Sequence, residues 1–420
     1  MLKKNLSELT KEEKKAFFER SSSKSSSQAL EIAKNIFEDV RNKGDDALRS
    51  YSRKFDGWSG GIAVGEEELN AALANLNPEL RTALEESTER IRSFAEAQKP
   101  KETRRVTSCG AVKTTPVARA GVYVPGGTAA YPSSVLMTII PARVAGVREI
   151  IACTPPNAGA TVLAALALAG ATRVFRVGGA QAIAAMALGT QSVPKCDKLF
   201  GPGNAFVNAA KTLAAAEGAA IDCPAGPSEI LIISDGGAEA RIVAADLLAQ
   251  AEHDENACAV LVTTSEVLVE KVEAELEKQL DLLPRKKIAG EALVRNGALL
   301  LAENLDDAVA FANAYAPEHL ELLVENPEAL LEKIENAGAV FIGKWSCEAA
   351  GDYAAGPNHV LPTGGLARAF SGLSVESFMK QTTVTKLDEA GLRGLVKTIA
   401  AIARAEGLEG HARSAEERFK

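Results

Sequence analysis

The sequence predicts an α/β protein, built as two incomplete Rossmann-like parallel-sheet domains with N- and C-terminal helical arms. Three observations predict it. Short apolar runs of strand length alternate with segments of helical periodicity from about residue 110 onward, which is the pattern of βαβ units. The texture is Ala-rich and Val/Ile-rich, with Gly 34 in 420 residues. Three glycine-rich turns each follow a predicted strand and precede a predicted helix, as on the ligand-binding edge of such a sheet.

The elements follow in order. Residues 1–21 read as an amphipathic helical arm, and S-S-S-K-S-S-S at 21–27 reads as a linker or N-cap region. Helices are expected near 28–44, 65–76 and 78–98. The strand A-G-V-Y-V then breaks into V-P-G-G. Helix 133–146, strand I-I-A-C, helix 160–169, strand V-F-R-V, the turn G-G-A-Q, helix 181–188, the loop F-G-P-G-N and helix 205–216 complete one unit. A second alternation starts at E-I-L-I-I-S-D (229–235). It runs through helix 237–253, strand A-V-L-V-T-T, helix 265–280, strand A-L-L-L-A, helix 305–315, strand H-L-E-L-L-V, helix 327–335 and strand A-V-F-I-G. The expected division is a discontinuous first α/β domain (22–121 with 229–372), a second α/β domain (122–228) and a C-terminal arm (373–420) whose long Ala-rich helix ends near His411.

A hydrophobic content of 46% over 420 residues is ample for more than one core. The net charge of -8 argues against a nucleic-acid surface. No apolar h-region opens the chain and no apolar run reaches membrane-spanning length, so a cytoplasmic protein is expected. Cys109, Cys153, Cys196, Cys223, Cys258 and Cys347 are dispersed with no C-x-x-C, which suits reduced thiols.

The chemistry is concentrated around four histidines. Gln250 and His253 lie three apart on a predicted helix, so both leave one face. That spacing suits two ligands of one metal, and equally a solvated face. Asp352 and His411 supply further candidates. Nitrogen and oxygen donors without thiolates suit Zn²⁺, with Mn²⁺ or Co²⁺ as alternatives. Glu318 and His319 adjoin at a strand start: within the strand they would face opposite ways, whereas in a turn before it both would face one cavity. The turns at 124–127, 178–181 and 201–204 bring backbone N–H groups toward helix N-termini, where anions bind. None is G-x-G-x-x-G. In C-P-A-G-P-S, Ser228 sits at the junction of the two units, where a cleft is expected. No G-x-S-x-G, P-loop or H-E-x-x-H occurs, and Cys153 and Cys347 read as small core residues.

Long phrases in the same order resemble the histidinol dehydrogenase family over nearly the whole chain. They are G-V-Y-V-P-G-G, V-G-G-A-Q-A-I-A-A, K-L-F-G-P-G-N-A-F-V, I-D-C-P-A-G-P-S-E, D-L-L-A-Q-A-E-H, P-E-H-L, A-G-D-Y-A-A-G-P-N-H-V-L-P-T and a terminal A-E-x-L-x-x-H. The resemblance implies one zinc per subunit held by Gln250, His253, Asp352 and His411. It implies a homodimer with exchanged C-terminal arms, so that His411 comes from the partner chain. It places NAD against Tyr123, Gln181 and Asn204. Ser228, Gln250, His253, His319, Asp352, His359, Glu406 and His411 would meet the substrate.

The implied reaction, closing histidine biosynthesis, oxidises L-histidinol to L-histidinal and then to L-histidine with two NAD⁺. His319 would take the alcohol proton and Glu318 would activate water on the aldehyde. Pro357 stands where the family often has a small hydroxylated residue. The alternatives are a related zinc- and NAD-dependent dehydrogenase of another small polar alcohol or diol, a zinc hydrolase using Glu318, and an idle nucleotide-binding module.

Overall fold

In a computed structural model, residues 1–20, 27–126, 131–223 and 226–420 are described. The serine-rich linker up to residue 26, the last residue of V-P-G-G and the centre of C-P-A-G-P-S lie outside them. The chain forms two compact units: Met1–Gln98 with Val117–Phe378, and Lys99–Pro116 with Met379–Lys420.

The larger unit holds two six-stranded sheets. In the first, Glu229–Ser234 is central, flanked by Cys258–Thr263 and His319–Leu323. Ala298–Leu301 and Ala339–Ile342 come next, and Leu2–Asn5 lies outermost beside Ala298–Leu301, all parallel. Alternation along a strand explains its two cores. Ile230 and Ile232 point to one face, against Val243 and Leu247 of helix Ala240–Ala251 and Leu268 and Val272 of helix Glu266–Leu280. Leu231 and Ile233 point to the other, against Phe311 and Tyr315 of helix Leu305–Tyr315. Each fully buried side chain of this size contributes roughly 1.5–3 kcal/mol.

The second sheet repeats the winding. Arg119–Tyr123 is central between Glu149–Thr154 and Lys198–Phe200, with Arg173–Arg176 and Ala220–Ile221 beyond, all parallel. The short Ala63–Val64 adds antiparallel to Arg173–Arg176. Leaving aside the edge strands Leu2–Asn5 and Ala63–Val64, the strand that opens each βαβ run, Glu229–Ser234 or Arg119–Tyr123, is central and the chain winds outward from it in both directions, so each sheet has a switch point at which crossovers diverge and a crevice opens.

Two expectations about this unit differ from the structure. The N-terminal arm is not helical throughout: Leu2–Asn5 is a sheet strand, and only Lys11–Phe18 is α-helix. Its Phe17 and Phe18 rings lie 5.5 Å from the Phe311 ring, so the arm contributes to the core. Residues placed with the first domain also serve the second sheet. Ala29, Ala33, Ile36, Phe37 and Val40 form the buried face of Ser27–Lys43, which packs on the Ala-rich helices Gly179–Leu188 and Ala205–Ala216.

The smaller unit joins strands Thr103–Arg105 and Gly110–Pro116 to Met379–Thr385, antiparallel, so the β-branched run T-T-V-T finds a partner early in the chain. The single long C-terminal helix expected from sequence is two, Glu389–Ala405 and Glu409–Glu416, broken at Gly407 with φ 75°. Arg404 ties them by bonding both Glu409 and Glu416 at 2.8–2.9 Å.

Candidate active site

Parallel register sets Ile230 opposite His319, which brings Glu229 beside the histidine at the N-terminal ends of two central strands. His319 is buried. Its Nδ1 lies 3.0 Å from the Glu229 carbonyl oxygen and 3.0 Å from Gln250 Oε1. A carbonyl oxygen only accepts, so Nδ1 carries the hydrogen and Nε2 keeps its lone pair. Burial lowers the imidazole pKa to about 4, against the opposing pull of Asp352, so the ring is a neutral base near pH 7. Nε2 has no hydrogen-bond partner among the described residues. It faces Asp352 Oδ1 at 3.8 Å and Glu348 Oε1 at 3.9 Å.

Glu318 lies just outside the strand His319–Leu323. A left-handed Ala316 (φ 51°) and Pro317 turn the chain out of helix Leu305–Tyr315, and the Glu318 carboxylate comes 3.7 Å from His319 Nδ1. Glu318 therefore stands in the bend before the strand, and His319 is the strand's first residue. Glu318 Oε2 accepts the Glu229 N–H at 2.8 Å. Burial pushes the Glu318 carboxyl well above the usual range, and the charges of Glu229, Asp352 and Glu348 push the same way.

Gln250 is wholly buried near the end of helix Ala240–Ala251, and His253 follows two residues past that end, half-buried. His253 forms a group with Glu348 and Asp352 whose donor atoms all lie within 4.8 Å of one another. The two carboxylates leave one face of the short helix Glu348–Tyr353 at i, i+4. Glu348 is the residue that sequence reasoning missed, and the E-A-A-G-D spacing was the available signal. Burial, and then the Asp352 charge, push its carboxyl up to about 9. Its Oε1 and Gln250 Nε2 are buried with no hydrogen-bond partner among the described residues. Crowded carboxylates with an imidazole and unsatisfied buried polar atoms are what a divalent cation neutralises, and the oxygen and nitrogen donors suit a zinc-type ion.

A cavity of about 410 Å³ opens beside this group, lined among others by His319, Phe341, Trp345, Asp352, Pro357 and His359. His359 Nδ1 contacts the Asp352 carbonyl oxygen at 3.1 Å, and its Nε2 contacts Ser134 Oγ at 3.2 Å. Burial lowers its pKa. Ser228 is half-buried in the segment entering strand Glu229–Ser234. Glu406 and His411, expected at the substrate and the metal, lie on the smaller unit, both exposed, and His411 is not in the His253 group.

The three expected nucleotide contacts all sit at the C-terminal edge of the second sheet. Tyr123 ends Arg119–Tyr123, and its hydroxyl accepts the Gly179 N–H at 3.1 Å. Gln181 is buried in the first turn of Gly179–Leu188. Asn204 caps Ala205–Ala216, its oxygen accepting from Phe206 and Val207 N–H at 3.1 Å each. Gly201, with φ 118°, is obligatory there, because a Cβ would stand 2.1 Å from the Tyr123 carbonyl oxygen. The central strand and Lys198–Phe200 flank the switch point of this sheet, where dinucleotides bind in such folds.

Residues 19–419 match the sequence profile of a family described as histidinol dehydrogenase. Among curated relatives, histidinol dehydrogenase from Methanosarcina barkeri is 45% identical over 428 residues, covering 100% of this chain and 98% of its own. The enzyme of that name from Geobacter sulfurreducens is 47% identical, covering 93% of each chain. A crystal structure of histidinol dehydrogenase from Elizabethkingia anophelis superposes with a TM-score of 0.94 at 40% identity, covering 100% of this chain and 98% of that one. A betaine aldehyde dehydrogenase from Staphylococcus aureus, at TM-score 0.51 and 12% identity over 89% of this chain and 87% of its own, shares the fold alone.

Proposed function

Because the chain belongs to the histidinol dehydrogenase family, we propose that Glu318 and His319 perform the NAD-dependent oxidation of L-histidinol to L-histidine through L-histidinal beside a zinc centre. The chain is an oxidoreductase of histidine biosynthesis. The observation that carries the residue assignment is the unpartnered Nε2 of a neutral His319, 3.8 Å from the carboxylate of Asp352.

Gln250, His253 and Asp352, with Glu348 close by, would hold the cation; Tyr123, Gln181 and Asn204 would meet the dinucleotide. When bound, zinc supplies Lewis acidity and a fixed anchor for a polar substrate, and NAD⁺ accepts the hydride of each round. The rest belongs to the chain's own groups. His319 Nε2 takes the hydroxyl proton as the alcohol carbon is oxidised, and the Glu229 carbonyl steadies the Nδ1–H that pairs with it. Glu318, raised in basicity by burial, takes a proton from water as it adds to the aldehyde carbon. His319 again removes a hydroxyl proton in the second oxidation. Across both rounds one water is consumed and the carbinol carbon gives up two hydrides, ending as carboxylate.

His359, which lines the cavity, and Ser228, next to Glu229 in the chain, are assigned to the substrate. Glu406 and His411 are assigned to the partner subunit's site in a homodimer, which the exposure of both side chains on the smaller unit supports. No helix among the described residues is long and apolar enough to cross a membrane, in keeping with a cytoplasmic enzyme. Counting NADH tests the reading. Two equivalents per histidinol, lost on removing zinc, are expected; none, or one with aldehyde accumulating, would refute it.

A further inference from the structure

We propose that Arg20 is a positioning residue for the catalytic pair, clamping Glu229 from behind so that the Glu229 main chain holds Glu318 and His319 in place. The proposal rests on the reading of those two residues as catalytic.

The contacts form one continuous chain. Arg20 Nε and Nη2 donate to the two carboxylate oxygens of Glu229, 2.6 Å each, in a fork-to-fork pair. Its Nη1 donates to the Phe17 and Tyr315 carbonyl oxygens at 2.7 and 2.8 Å, and the guanidinium lies 3.4 Å above the Tyr315 ring centroid. The Arg20 side chain is 11% exposed and that of Glu229 2%, so both charges are withdrawn from water. Glu229 Oε1 also accepts the Gly364 N–H at 2.9 Å. With its side chain pinned, Glu229 presents its N–H to Glu318 Oε2 and its carbonyl oxygen to His319 Nδ1.

The same guanidinium fixes the other approach to the pair. Tyr315, whose carbonyl it binds, is the last residue of its helix, followed by the left-handed Ala316 and Pro317 that deliver Glu318. One side chain therefore holds both routes by which the pair reaches its position: the neighbouring strand and the preceding turn. Lysine lacks the planar fork and the flat face that this geometry uses. Stability alone is a weak reason for such a pair, because burying two charges costs about what their attraction returns, and apolar replacements of like volume are often neutral. Placement is a stronger reason. A displacement of about 1 Å at a reacting group costs on the order of 10²-fold in rate.

The experiment compares Arg20→Ala, Arg20→Lys and Glu229→Gln in the full-length, zinc-loaded protein, with His319→Asn alongside. For Arg20→Ala, kcat with histidinol and with histidinal is expected to fall about 10²-fold, while KM for histidinol and zinc content stay within about twofold. Arg20→Lys should fall in between, and added guanidinium ion should restore part of the Arg20→Ala rate. A folded Arg20→Ala enzyme with kcat near that of the parent, or a kcat loss tracking zinc loss, would overturn the proposal. Where Arg20→Ala does not fold, Glu229→Gln decides, since it keeps volume and main chain but breaks half the fork; unchanged kcat there overturns the proposal equally. His319→Asn separates the two readings. An active His319→Asn enzyme defeats the catalytic pair itself, whereas an inactive one beside fully active Arg20 and Glu229 variants defeats the clamp alone.

Discussion

The imidazole of His319 is hydrogen-bonded to the main chain of Glu229, Nδ1 to carbonyl oxygen at 3.0 Å, and that bond decides which ring nitrogen is basic. His319→Asn keeps a side-chain donor but has no lone pair at the Nε2 position. Its kcat for alcohol oxidation is expected to drop on the order of 10²–10⁴-fold, the usual contribution of a general base. Steady-state NADH formation checks it, and a loss below fivefold would remove His319 from the proton transfer.

Glu318 is assigned to the hydration of the aldehyde. Glu318→Gln keeps the shape and the oxygen that accepts from Glu229 N–H, but loses the base. Histidinal oxidation is expected to suffer at least tenfold more than histidinol oxidation to the aldehyde in single-turnover measurements, general-base removal costing about 10²–10⁴-fold. Equal losses in both half-reactions would contradict the division of roles.

The group of His253, Glu348 and Asp352 gives a pH signature. Glu348 titrates near 9 in the metal-free protein, pushed up by burial and by Asp352. A raised carboxyl favours the folded state below its unfolded value of 4.5, and that contribution is lost as pH rises through about 9. The stripped protein should therefore melt at lower temperature at pH 9 than at pH 6. Zinc displaces the proton, so adding it at pH 7.5 should release protons into a weakly buffered indicator solution. A flat melting profile together with no proton release would count against Glu348 as a group facing the cation.

Lys211 holds the loop that begins at Gly201 from beneath. Its ammonium, 1% exposed, pairs with Asp222 and donates to the Gly201 and Cys223 carbonyl oxygens at 3.1 and 3.0 Å. Lys211→Ala strands a buried carboxylate and should cost about 3–5 kcal/mol in denaturant unfolding. A cost under about 1 kcal/mol would mean that Asp222 finds water or a proton at no expense.

Periodicity reported most of the α/β alternation, because parallel strands buried on both faces write long apolar runs, as Glu229–Ser234 does. The N-terminal strand stayed hidden. L-K-K-N carries no apolar run and becomes a strand only because Ala298–Leu301 offers it an edge. At the candidate site, the structure groups His253 and Asp352, both singled out from sequence, with Glu348, which was not, since a lone glutamate reads as a solvated face until folding buries it. Arg20 was illegible for the same reason: its partner is 209 residues away, and no local pattern encodes a contact of that range. His411 was a ligand candidate by residue type and by resemblance, Glu406 by resemblance alone, and both are exposed on the smaller unit.

The outermost strand Leu2–Asn5 has a practical consequence for handling this protein. Trimming it would strip Ala298–Leu301 of its neighbour and leave a row of free amide and carbonyl groups on a flat apolar ribbon, the kind of margin on which chains stack into aggregates. Shortened versions are expected to precipitate before they lose their internal packing, and affinity tags are better placed with a spacer that lets the first five residues dock.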